Sequence, residues 1–164
     1  MGEHDTSARQ AILDVINRYF IAIDHREWDL LRTCFAPDVT GIYEGVEVAG
    51  GIDRLMDFFE GRSTFGFPLE IVDLQISMHV IGTHAARVDG EHAFTETYCL
   101  AHLVDRPAGQ PRVRTRGLRY VDELALIDGD WMIRHRRHIL DWMRADHVES
   151  VAAGIEPTGR ALRG

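Results

Sequence analysis

The chain has 164 residues, of which 45% are hydrophobic and 27% charged, with a formal net charge of −8. This suits one globular domain, residues 1–164, with a sizeable core and room for a pocket, and it excludes a sequence-independent nucleic-acid binder, which needs a concentrated basic face. The one basic cluster, Arg134-His135-Arg136-Arg137-His138, divides its charges between the two faces of a strand. No stretch approaches the ~20 apolar residues that span a bilayer, and the N-terminus has no basic-then-apolar leader, so a cytoplasmic protein without a membrane partner is expected. Cys34 and Cys99 lie far apart without a Cys-x-x-Cys partner, which predicts two buried, reduced thiols. The nine histidines include no His-x-x-x-His or His-Glu-x-x-His helix spacing, and no Gly-rich phosphate loop occurs, so neither metal nor cofactor is expected.

In chain order, Ile12, Val15, Ile16, Tyr19, Phe20 and Ile23 recur at helical spacing and predict a helix over residues 6–24, capped by Thr6 or Ser7. A short second helix is expected from about Glu27 to Phe35, ended by Pro37. Val39 to Tyr43 reads as a strand. Ile52 to Glu60 restores helical periodicity, and Gly61 stops it. Ser63 to Pro68 reads as a loop. Strand-like segments follow: Leu74 to Arg87, a hairpin turn at Asp89-Gly90, His92 to Val104, a Pro107–Pro111 loop, Arg112 to Ile127, a second hairpin at Asp128-Gly129, and Trp131 to Trp142. The tail, residues 145–164, reads as irregular.

These elements predict an α+β fold. A strongly curved, mainly antiparallel sheet rolls into a cone-shaped barrel, and three helices from the N-terminal half close a small-molecule cavity. Two residues stand out against that frame. Asp24 closes the first helix, and His79 sits in the apolar strand Ile76-Ser77-Met78-His79-Val80-Ile81. A carboxylate and an imidazole are costly in such positions unless they pair, and as a pair they form an oriented general base. Unpaired, they would be a solvated helix-end acid and a satisfied core histidine. His138 lies two residues beyond Arg136 in a strand and shares its face.

Several strings resemble one family. Ile23-Asp24-His25-Arg26-Glu27-Trp28-Asp29-Leu30-Leu31-Arg32-Thr33-Cys34-Phe35-Ala36-Pro37, Met78-His79-Val80-Ile81-Gly82 and Ile127-Asp128-Gly129-Asp130-Trp131 resemble segments of the nuclear transport factor two-like (cystatin-like) superfamily. Within it the likeness is to the SnoaL-like group that includes scytalone dehydratase, and it runs from about Ala11 to Trp142. The resemblance implies a catalytic Asp24–His79 pair, a second site histidine at His102, and one of two water-holding tyrosines at Tyr43. Ile23 stands where those dehydratases carry another tyrosine. Tyr19 matches a tyrosine that related dehydratases place five residues before the aspartate, and Arg136 matches an arginine of a dehydrochlorinase relative.

With Tyr19 or His102 assisting at the carbonyl or leaving group, and Tyr43, Arg136 and His138 binding substrate, the leading expectation is a cofactor-independent lyase. It would be a dehydratase acting by β-elimination on a small hydrophobic, cyclic substrate. An isomerase or polyketide cyclase is second; a non-catalytic ligand-binding or dioxygenase small-subunit-like protein is third. His79, His102 and Arg136 are expected to point inward. The outer face, assigned Leu103, Val121, Met132 and Ile133, is expected to be covered in a homodimer or homotrimer.

Overall fold

The computed structural model describes residues 3–61 and 74–149, with side chains from Asp5 onward. The expected Ser63–Pro68 loop lies outside the described residues. The first helix, α1, spans Glu3–His25 and buries Ile12, Val15, Ile16, Tyr19, Phe20 and Ala22 along one stripe. It ends with Arg26 in the left-handed region at φ 54°, while Glu27 N–H reaches back to the Ala22 carbonyl at 2.9 Å. This is the 6→1 closure that usually recruits glycine.

The second helix, α2, is a single turn at Trp28–Arg32, shorter than its apolar pattern suggested. Strand β1, Phe35–Tyr43, begins directly after it, with Phe35 already paired to Ile133. Pro37 does not end the helix. It sits exposed in the irregular stretch of β1 between the Phe35 and Thr40 pairings, where a missing N–H costs no ladder bond. A turn at Glu44-Gly45 leads into β2, Val46–Val48, a strand too short to announce itself in the sequence. Helix α3, Gly51–Phe59, packs Leu55, Met56 and Phe58 inward.

Four long strands complete the sheet: β3 Ile76–Asp89, β4 His92–Asp105, β5 Arg112–Ile127 and β6 Asp130–His147. Both hairpins are present. At the second, Asp128 and Gly129 take φ 51° and 93°, the doubly left-handed turn that this dipeptide favours. At the first, Asp89 still pairs with His92, so the turn residues are Gly90 and Glu91. Strand β6 runs past Trp142 to His147, paired there with Arg112, so residues 145–147 are strand and not irregular tail.

The six strands follow the order β2-β1-β6-β5-β4-β3, with β1 parallel to β6 and all other neighbours antiparallel. The outer strands β2 and β3 do not pair with each other, so the sheet is curled but not closed into a barrel. Register shifts interrupt β1–β6, β3–β4 and two points of β5–β6. Such bulges bend strands and raise their twist, which curls the sheet around α1. The hydrophobic core joins α1, α2 and α3 to the inner face of the sheet. Cys34 and Cys99 are both buried and free.

Candidate active site

A cavity of about 560 Å³ opens between α1, α3 and the inner face of the sheet. Its walls are mostly aromatic: Tyr19, Tyr43, Phe58, Phe59 and Tyr120, with Trp28 and Arg26 toward the mouth. A larger depression of about 870 Å³ lies outside, along His25 to Thr33, but it contains neither His79 nor any inner-face strand residue, so the chemistry is placed in the smaller cavity.

Asp24 occupies the last turn of α1, where the helix dipole disfavours a carboxylate. Its compensation comes from β3. Ser77 Oγ–H donates to Oδ1 at 2.7 Å, the His79 backbone N–H donates to Oδ2 at 2.8 Å, and the His79 ring meets Oδ1 through Nδ1 at 2.6 Å. A carboxylate only accepts, so Nδ1 carries the proton and Nε2 keeps its lone pair for the cavity that His79 lines. Burial pushes the Asp24 carboxyl upward, but the hydrogen bonds and charge of His79, with the Ser77 hydroxyl, hold it below the usual value. The ring is also fixed by stacking on Phe20, with centroids 5.3 Å apart. The two residues thus form a rigid, oriented imidazole with a carboxylate behind it. Ser77 could have been read from the sequence, since it shares a strand face with His79 two residues on.

Strand β5 supplies the floor. Arg116, Leu118, Tyr120, Asp122 and Leu124 alternate onto the inner face and are all buried. Tyr120 pairs with His138 across the β5–β6 ladder, and both line the cavity. Tyr120 and Arg116 escaped the sequence reading, although this alternation is present in β5 itself.

Arg136 is fully buried and does not line the cavity. Its register partner Asp122 accepts both Nε–H and Nη2–H at 2.7 Å, and the guanidinium lies 4.0 Å from the Tyr19 ring centroid and 4.7 Å from that of Tyr120. The expected substrate contact is therefore replaced by an ion pair beneath the floor, because a cation at that depth requires a charged partner. Burial drives the Tyr19 hydroxyl up to about 12 despite Arg136 nearby, and drives Tyr43 well above the ordinary range. Both therefore stay protonated and keep an O–H available to donate. The Tyr43 hydroxyl is buried on the cavity wall without a hydrogen-bond partner among the described residues.

His138 is buried against Tyr43, with ring centroids 5.8 Å apart. Burial, then Arg116 and Arg136, push it down to about 3, so it is neutral. His102 differs from expectation. It pairs opposite Met78 and Thr115 on the outer face, and its Nδ1 lies 3.1 Å from Thr115 Oγ1. Strand alternation gives the inner positions to Ala101 and Leu103 instead, and Leu103 lines the cavity. Among the described residues no group of three or more His, Cys, Asp and Glu side chains is placed to hold a metal ion.

This arrangement can take a proton from a bound molecule at His79 Nε2 and hold neutral donors around it. Several solved structures share the architecture. A scytalone dehydratase-like protein of Novosphingobium aromaticivorans matches with TM-score 0.73 and 19% identity over 98% of this chain and 99% of that one. The hexachlorocyclohexane dehydrochlorinase LinA-type3 of Novosphingobium barchaimii matches with TM-score 0.69 and 17% identity over 92% and 94%. A protein of Nostoc punctiforme with a cystatin-like fold matches with TM-score 0.61 and 17% identity over 81% and 90%. These identities establish the fold, not the reaction. The SnoaL-like domain model matches residues 4–137, most of the chain, and the protein belongs to the SnoaL-like domain family.

Proposed function

We propose that the protein is a cofactor-independent lyase, a dehydratase that removes water from a small cyclic substrate by β-elimination. The observation that carries this reading is the Asp24–His79 pair, held at 2.6 Å with one imidazole nitrogen turned to an aromatic cavity. His79 Nε2 takes the proton next to a carbonyl, and Asp24 stabilises the imidazolium that results. The electron pair released from C–H moves to the carbonyl oxygen, where protonated Tyr19 and Tyr43 supply donors for the developing enolate. As the enolate collapses, the β C–O bond breaks, and the leaving oxygen receives the proton from the imidazolium. The balance is substrate to unsaturated carbonyl compound plus water, with His79 returned neutral.

The names of the structural neighbours, a dehydratase-like protein and a dehydrochlorinase, support elimination chemistry on this scaffold. The test is incubation with a panel of cyclic β-hydroxy ketones, followed by mass spectrometry. A product lighter by one water supports the lyase. A product of unchanged mass identifies an isomerase or cyclase. Tight binding without turnover across the panel identifies a ligand-binding protein.

A further inference from the structure

Arg116 lies two strands from His79 in the same row of the sheet, through Ala101, and belongs to a second charged assembly that the proton transfer leaves unused. Arg116 of β5 and His138 of β6 line the cavity. Behind them Glu44, from the β1–β2 turn, ion-pairs with Arg116 and places Oε1 3.7 Å from His138 Nδ1. The Arg116 and Glu44 side chains are only 3% and 12% exposed. Glu44 holds the first position of a two-residue turn at φ 51°, followed by Gly45 at φ 85°. That left-handed pair prefers asparagine, aspartate or glycine. A glutamate there is strained, and its extra methylene is what carries a carboxylate from the turn to Arg116. A buried ion pair gives little stability over apolar packing, so strain and ion pair together mark a site with a purpose beyond holding the fold.

The charges nearest the cavity are each answered: Arg116 by Glu44, Arg136 by Asp122, and Asp24 by the His79 and Ser77 hydrogen bonds. We propose that the Glu44–Arg116 pair sets the charge class of the ligand. The cavity takes a neutral ring compound whose oxygen substituent accepts hydrogen bonds from Arg116, and Glu44 prevents Arg116 from recruiting a carboxylate instead. A guanidinium in a dry cavity, left to itself, would take a carboxylate as a bidentate partner. With Glu44 in place, a second carboxylate meets repulsion and a desolvation cost, whereas a carbonyl or hydroxyl does not. The repulsive element supplies the selectivity.

This inference rests on the same cavity being the substrate site, but not on elimination taking place there. Equilibrium binding without turnover therefore tests it separately from the lyase reading. The probes are acetylnaphthalene, which is neutral, and naphthoate, which is anionic, titrated into the full chain at neutral pH. The parent is expected to bind the ketone more tightly by roughly tenfold or more, and Glu44→Gln to shift the ratio toward naphthoate by a similar factor. Adding Arg116→Gln to Glu44→Gln should abolish the gained naphthoate binding. That double variant leaves no unpaired charge of the two, so it remains informative if the single variant folds poorly: its preference for acetylnaphthalene over unsubstituted naphthalene should fall well below the parent's. Equal parent affinities for ketone and naphthoate would overturn the proposal. So would an unchanged ratio in folded Glu44→Gln, an undiminished ketone preference in the double variant, or no binding of either probe.

Discussion

The Asp24–His79 contact is short, fixed from both sides and backed by Ser77, so the two residues should behave as one unit. His79→Ala and Asp24→Asn are each expected to cut turnover by ~10²–10⁴-fold, the usual weight of a general base. Combining them should cost little more than the worse single change. Single-turnover rates of the three variants, corrected for folded fraction, check this, and multiplicative losses would mean that the residues act independently. His138 carries a different consequence, in stability. Its folded-state value is pushed from 6.5 to about 3, by burial first and then by Arg116 and Arg136. A depressed value means the unfolded chain takes the proton first. The contribution is present above 6.5 and is lost progressively as pH falls from there toward about 3. The thermal midpoint should therefore drop on acidification below 6.5, and His138→Phe, which keeps a ring against Tyr43, should flatten that drop. Parallel midpoint curves would assign the acid sensitivity to other groups.

Elements decide which of these side chains reach the cavity, and bulges decide it within strands. Period-2 reasoning places Arg136 and His138 together, and it would have found Arg116, Tyr120 and Asp122 in β5. It fails at Ile133. The register shift between Glu123 and Leu124 leaves Arg134 without a register partner in β5, so Ile133 and Arg136 face inward although they are odd and even. Ile133, expected on the outer face, is fully buried. His102 and Leu103 exchange faces for a simpler reason, because the pairing of His79 with Ala101 fixes the phase of β4, a long-range fact that no local pattern contains. Turns were legible where their chemistry is local, as at Asp128-Gly129, and β2 was invisible because three residues carry no periodicity. One element-level device bears directly on the site. Gly41 in β1 lies under the ring of Tyr43, two residues on, and a Cβ there would meet the Tyr43 ring at 2.7 Å and the Arg136 carbonyl at 3.3 Å. Gly41→Ala should tilt the Tyr43 ring out of the cavity wall and cost about 1–3 kcal/mol, as overpacking typically does. Chemical denaturation measures the cost. Weakened acetylnaphthalene binding, alongside an intact Asp24–His79 pair, measures the displaced wall.

At the scale of the whole molecule, the sheet has one face committed to the cavity and another that carries an apolar patch. No helix among the described residues is long and apolar enough to cross a membrane. Yet Met78, Val80, Tyr98 and Leu100 are 53%, 47%, 48% and 40% exposed on the outer face of β3 and β4. They are joined there by Trp142, which lies against Gly117. A groove of about 390 Å³ runs between them, lined by Val80, Tyr98, Leu100, Gly117 and Trp142. Of the residues expected on this face, Val121 and Met132 are on it, whereas Leu103 and Ile133 belong to the inside. A contiguous patch of large apolar side chains on an uncovered sheet face is unusual for a monomer. Because the outer face recurs on every copy, a second copy of the chain offers it a self-complementary cover, as closed symmetric assemblies require. We therefore expect a homodimer or homotrimer in which outer faces meet, leaving each cavity mouth, on the helical side, open. Sedimentation equilibrium at micromolar concentration should report the assembly, and its thermal midpoint should rise with protein concentration by mass action. Val80→Glu or Leu100→Glu would place a carboxylate in the middle of the contact, so each should yield monomers that keep the cavity's affinity for acetylnaphthalene. A parent that sediments as a monomer at that concentration would instead leave the outer face for a different protein partner.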